Sequence, residues 1–228
     1  MRVFVGDTRS HKLVARLKER GWGRMCCRDR PAPYPGEAWG QDNGAFGAWL
    51  KGETLDLERF RDVAARAADI GGCALAVLPD IVTGGMASLD CSMRELDRLP
   101  ELPWYLAVQD DMEFQPNWGT VCHALEDPRI AGIFIGGSNR FKTSAPTWSV
   151  TAGMLGKSLH YGRAGTPHKV AHAMRSKVDS IDSAFPLWTK ERWELFELAI
   201  DNRLPQLTFD LVVDEFDGPR TLELQEAA

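Results

Sequence analysis

Eight short runs rich in Val, Ile, Leu and aromatic residues, separated mostly by stretches of helical period, constrain this chain more than any other feature. The runs are Arg2–Val5, Gly23–Cys27, Ala38–Gln41, Cys73–Leu78, Trp104–Val108, Gly132–Ile135, Ser158–Tyr161 and Val178–Ile181. Their length and composition read as strands. Amphipathic segments such as Leu55–Ile70, Ala87–Leu99, Trp118–Leu125 and Pro167–Arg175 read as helices, and Thr189–Asp201 supplies a last helix after the eighth strand. In the first of these, Leu57, Phe60, Val63, Ala64 and Ala67 make one apolar stripe. Arg28–Glu37 breaks the alternation: it holds three prolines and no helical period, so it is expected to be a long loop. Eight strands alternating with helices in 228 residues indicate the α/β class and a small single-domain (β/α)8 TIM barrel, near the lower limit of roughly 200 to 400 residues for that fold. The barrel is expected over about 1–205, with an acidic C-terminal tail over about 206–228. A doubly wound open sheet is the competing arrangement.

The remaining composition narrows the class. No window approaches the roughly 20 apolar residues of a membrane span, and charge follows the first four apolar positions, so neither a signal peptide nor a membrane partner is expected. Five cysteines, Cys26, Cys27, Cys73, Cys91 and Cys122, form an odd set without a C-x-x-C pair, which argues against a disulfide framework and a zinc cluster and fits a cytoplasmic protein. The net charge of −5 is unevenly spread. Residues 1–30 and 137–192 each hold nine Lys/Arg against three acids, leaving −17 on the remainder. A polyanionic partner is therefore compatible with the chain.

A (β/α)8 barrel places its active site at the C-terminal ends of its strands. Those ends carry Gln41-Asp42-Asn43-Gly44, Pro79-Asp80, Gln109-Asp110-Asp111, Gly136-Gly137-Ser138, Tyr161-Gly162-Arg163 and Asp179-Ser180-Ile181-Asp182. Carboxylates, an amide, glycines and an aromatic ring on one mouth suit recognition of a flat polar heterocycle together with carboxylate chemistry.

The order D-N-G-A-F, P-D, V-Q, F-I-G-G, H-Y-G-R-A-G-T-P and V-D-S-I-D resembles the barrel of the tRNA-guanine transglycosylases over roughly residues 38–190. The GIFIGGS and HYGRAGT segments are more similar to the DpdA-type branch, which exchanges guanine in DNA for 7-deazaguanine bases in bacterial and phage systems. The zinc subdomain of the tRNA enzymes has no counterpart, because no cysteine follows Cys122. The resemblance implies no cofactor or metal. Its implied partners are guanine nucleotides in DNA and a free 7-deazaguanine such as the 7-cyano or 7-aminomethyl form, with a homodimer or partner subunit also compatible.

By this resemblance Asp182 is the nucleophile and Asp42 the general acid/base, while Asp80 reads the guanine edge. Gln109 and the Gly136 and Gly137 amides would address the base carbonyl, and Tyr161, followed by Gly162, would stack on the base. Plainer readings remain for each: a helix N-cap for Asp182, a D-N-G turn for Asp42, a loop cap for Asp80 and barrel core for Tyr161. On strand parity His160 faces away from Tyr161, so packing or a supporting role is expected of it. Arg140, Lys142, Arg163 and Lys169 lie on loops of the same mouth, where phosphates would run. The activity implied is a pentosyltransferase exchanging guanine in DNA. The alternatives are tRNA-guanine exchange, hydrolysis of a deazaguanine glycoside, or a non-catalytic base-binding subunit.

Overall fold

The computed structural model describes residues 1–27 and 31–203, so the expected acidic tail lies outside the described residues. Eight parallel strands close into one barrel in sequence order: β1 (Arg2–Gly6), β2 (Gly23–Cys26), β3 (Trp39–Gln41), β4 (Cys73–Val77), β5 (Trp104–Val108), β6 (Ile130–Ile135), β7 (Ser158–Tyr161) and β8 (Ser180–Ser183). β1 pairs with β8 to close it, with Phe4 opposite Asp182. The open-sheet alternative is thereby excluded. The expected eighth strand, Val178–Ile181, sits two residues too early, and Asp182 lies within β8.

Helices α1 (His11–Arg20), α3 (Leu57–Ile70), α4 (Met86–Leu96), α5 (Asn117–Leu125), α7 (Ala145–Leu155), α8 (Pro167–Arg175) and α9 (Lys190–Ile200) follow the strands, with short α2 (Ala45–Trp49) and α6 (Asn139–Lys142) built into the loops after β3 and β6. Local chemistry sets several starts. The Asp56 carboxylate accepts from the Glu58 and Arg59 N–H groups ahead of α3, Thr166 caps α8 and Thr189 caps α9.

The alternation along each strand divides the apolar residues into two layers. Val3, Val5, Leu106, Val108, Ile133, Ile135, Leu159 and Ile181 face outward and join the helices in the main core, together with Trp104, Trp148, Trp193 and Phe196. Phe4, Met25, Leu75, Val77, Tyr105 and Ala107 fill the barrel, with Phe134 packed against them. The interior plug is apolar below, so polar side chains pointing inward collect at the C-terminal mouth.

The long loop before β3 is anchored from beneath. Arg24 of β2 donates to both carboxylate oxygens of Glu37 at 2.7 and 2.6 Å and to the carbonyls of Thr8 and Ala32, both at 2.8 Å. Both side chains are buried, and Glu37 also accepts from the Tyr34 N–H. An open cleft of about 280 Å³ lies beside this pair, between the loop and α1.

Candidate active site

Three carboxylates meet at the mouth. Asp42 follows β3, and the N–H groups of Asn43 and Gly44 turn back onto its carboxylate, an arrangement that the positive φ of Gly44 (78°) permits. Asp80 follows β4, and Asp182 stands in β8. Asn43 links the first two loops: its amide nitrogen donates to Leu78 O and to an Asp80 carboxylate oxygen, both at 2.7 Å, while its carbonyl accepts from the Ala45 N–H at 2.9 Å. An asparagine here serves as donor and acceptor at once, which a leucine of the same size could not do.

The environment separates the three acids. Burial raises the Asp42 carboxyl, the charges of Asp182 and Asp80 push it further, and it reaches about 7 despite the two backbone N–H groups. Burial also raises Asp80, opposed by the Asn43 amide and the Arg163 charge. Asp182 feels burial upward as well. Yet the hydrogen bond and charge of His160, the Arg163 N–H and the Lys142 ammonium outweigh it and leave its carboxyl below the ordinary value. At neutral pH one carboxyl is thus poised to hold or release a proton while another stays ionised, the separation that acid–base and nucleophilic roles require.

His160 has no exposed surface. Its Nε2 lies 2.9 Å from Asp182 Oδ1 and its Nδ1 2.8 Å from Ser180 Oγ, and its ring stacks on Phe134 at 4.9 Å between centroids. The Arg163 backbone N–H reaches the same Asp182 Oδ1 at 3.1 Å. Arg163 adopts a left-handed backbone (φ 54°), and its side chain runs across the mouth. The guanidinium lies 4.2 Å from the Phe46 ring centroid and donates to Gly137 O at 2.7 Å. One side chain therefore ties the loops after β3, β6 and β7 together.

The structure brings Asp42, Asp80, Asp182 and Arg163 into one site and corrects several other expectations. Tyr161 does not face the mouth. It is buried in the outer layer, with the Lys142 ammonium above its ring and His172 at its edge, because strand alternation turns His160 inward and Tyr161 toward the helices. Lys142 is not a surface cation on a phosphate path: it is buried, and its ammonium donates to Gly162 O. Gly162 has its N–H on Ile135 O at 3.1 Å, and a β-carbon there would lie 2.5 Å from the Phe134 ring, so glycine is needed on this inward face. Gly136 spends its N–H on Val108 O at 2.9 Å, and it is the carbonyl of Gly137 that meets Arg163. Gln109 is buried, and its amide nitrogen donates to Ile81 O at 3.0 Å, so it ties down the loop after β4. The half-buried Arg163 guanidinium packs on Phe46 and bonds Gly137 O within the site. Arg140 is exposed on α6, and Lys169 is half-buried in the first turn of α8.

Sequence reasoning gave Asn43 and Phe46 no individual role and left His160 as packing or support. Among the described residues no group of three or more His, Cys, Asp or Glu is arranged to hold a metal ion, and no helix is long and apolar enough to cross a membrane. Comparison with protein-family models and with curated proteins finds no match for the chain.

Proposed function

We propose that this chain is a base-exchange transglycosylase that replaces guanine in DNA by a 7-deazaguanine through a covalent aspartyl-glycosyl intermediate. The observation that carries the reading is the division of labour among the mouth carboxylates: Asp42 shifted to about 7, and Asp182 kept ionised against the burial that opposes it. In the first half-reaction an Asp182 oxygen attacks the anomeric carbon, the bond from that carbon to guanine breaks, and the Asp42 proton neutralises the departing base. In the second, the incoming base attacks the same carbon, its proton passes to the Asp42 carboxylate and the ester bond to Asp182 breaks. Two inversions return the new base to the original sugar face. Asp80, held by Asn43, would accept hydrogens from the guanine edge, and a nucleotide would leave the base stack to present that edge. The choice of guanine, DNA and deazaguanine rests on the motif resemblance over residues 38–190.

The test is incubation with DNA or tRNA and labelled guanine or 7-deazaguanines, followed by nucleoside analysis and denaturing electrophoresis. Label entering DNA and a covalent enzyme–DNA band that vanishes in Asp182→Asn are expected. A band that persists in that variant would refute the nucleophile, and label entering only tRNA would refute the substrate.

A further inference from the structure

The Asp182 carboxylate is held asymmetrically. Its Oδ1 has two donors in place, His160 Nε2 at 2.9 Å and the Arg163 backbone N–H at 3.1 Å. Among the described residues none donates to Oδ2. His160 is itself fixed on three sides, by Ser180 Oγ at 2.8 Å, by the stacked Phe134 ring and by Phe4, whose centroid is 6.0 Å away. A buried imidazole that reaches a carboxylate on one side and a hydroxyl on the other keeps a single ring orientation, because rotating it would leave two polar atoms unsatisfied in an apolar barrel.

We infer that His160 is the positioning residue of the nucleophile, pinning Oδ1 of Asp182 through an Nε2–H donor so that Oδ2 is the oxygen that attacks the sugar. This rests on the transglycosylase reading and assigns it an atom and a partner. As Oδ2 forms its bond to the anomeric carbon, the negative charge leaves the carboxylate, and Oδ1 becomes the ester carbonyl with both donors still in place. When the second base arrives, the Oδ2–carbon bond breaks, its electron pair returns to the carboxylate, and the same two donors receive the charge. His160 transfers no proton in either half. It makes the carboxylate less basic and so a better leaving group in the deglycosylation step.

The titratable and charged groups that bear on this pair are few. Ser180 and Asp182 come from β8, and Phe134 and Phe4 from the facing strands are neutral. Asp42, the Lys142 ammonium and Arg163 act on the Asp182 carboxylate from the loops after β3, β6 and β7. With His160 removed, burial still raises the Asp182 carboxyl while its strongest opposing partner is gone.

Two substitutions separate position from bulk. His160→Phe fills the space without a donor, and His160→Gln restores an N–H near the Nε2 position. Release of the adduct by an incoming base is expected to slow about tenfold to a hundredfold in His160→Phe, the effect of losing one hydrogen bond to the carboxylate that departs. The acid limb of its pH–rate profile should move up, and His160→Gln should recover most of the rate. A folded His160→Phe variant with unchanged rate and acid limb would overturn the inference, as would equal losses in the two variants. Should neither variant fold, nitrogen NMR of the imidazole in the wild type decides: a protonated Nε2 whose proton signal moves in Asp182→Asn supports it, and an unprotonated Nε2 overturns it. A wild-type enzyme that forms no adduct at all marks failure of the transglycosylase reading, whereas an adduct indifferent to His160 marks failure of this inference alone.

Discussion

Asp42 is held at an energetic cost that a single substitution should reveal. In the unfolded chain its carboxyl titrates near 3.8, and in the folded chain near 7. Between these values the unfolded state has released the proton and the folded state keeps it, so raising the pH favours unfolding. Stability from this group is complete below about pH 4, falls through the interval and is lost above pH 7. At 1.36 kcal/mol per pH unit the displacement corresponds to about 4 kcal/mol. Asp42→Asn is neutral in both states, and its side-chain carbonyl can still accept from the Asn43 and Gly44 N–H groups that now face the carboxylate. The variant should therefore match the wild type near pH 4 and exceed it by up to about 4 kcal/mol at pH 8, or roughly 10 °C in melting temperature for a chain of this size.

Urea unfolding of both proteins at half-unit steps from pH 4 to pH 8 measures the difference directly, because every other titrating group is common to the two. A gap that opens with pH and levels off above 7 is the expected outcome. A constant gap would mean that Asp42 is not displaced, and a gap that closes with rising pH would mean that it is displaced downward. Either result would remove the physical basis for Asp42 as the acid. Exchange activity should fall by about 10² to 10⁴ in the same variant, the usual value of a positioned acid or base, so a gain in stability would accompany the loss of function.

Three further substitutions test the corrected charges and the loop anchor. Lys142→Met should leave the salt dependence of DNA binding unchanged while raising the acid limb of the pH–rate profile, since the ammonium is buried against Gly162 O and acts on Asp182; Arg140→Ala should reduce the log–log salt slope by about 0.9 if that exposed cation meets a phosphate. Glu37→Ala should cost about 3–5 kcal/mol in urea unfolding by leaving Arg24 charged and buried, and a cost under about 1 kcal/mol would show that solvent reaches the guanidinium.

The barrel was legible because its outward-facing residues are apolar. Leu106, Val108, Ile133 and Ile135 pack under the helices and give β5 and β6 the dense runs that mark buried strands. The same signal fails where the strand carries the site. β8 reads Ser-Ile-Asp-Ser, with Ile181 as its one apolar residue, so a search for apolar runs drifts back to Val178, which is buried ahead of the strand. The Asp42, Asp80 and Asp182 positions were legible for a different reason: each falls within two residues of the end of an expected strand, where a barrel places its site. Asn43 was not, because within Asp-Asn-Gly its turn-forming role accounts for it and its bond to Asp80 spans 37 positions.

Tyr161 and His160 show how the alternation rule can mislead when it is anchored on the wrong residue. Taking Tyr161 as the mouth residue, as the motif resemblance implies, turns His160 away by the period of two. Anchoring on Asp182 reverses the outcome. If Asp182 points inward, so does Ser180 two residues before it, and Ile181 points out. Parallel neighbours in register share a face, and the pairs here are His160 with Ser180 and Tyr161 with Ile181. The polar pair belongs inside and the apolar-faced pair outside, a pattern already written in Ser-Leu-His-Tyr beside Ser-Ile-Asp-Ser. In a barrel whose outer layer is sealed by helices, a histidine alternating with leucine and tyrosine is a stronger indicator of the interior than an aromatic ring is of a ligand, since burying an imidazole demands partners that only the polar mouth supplies.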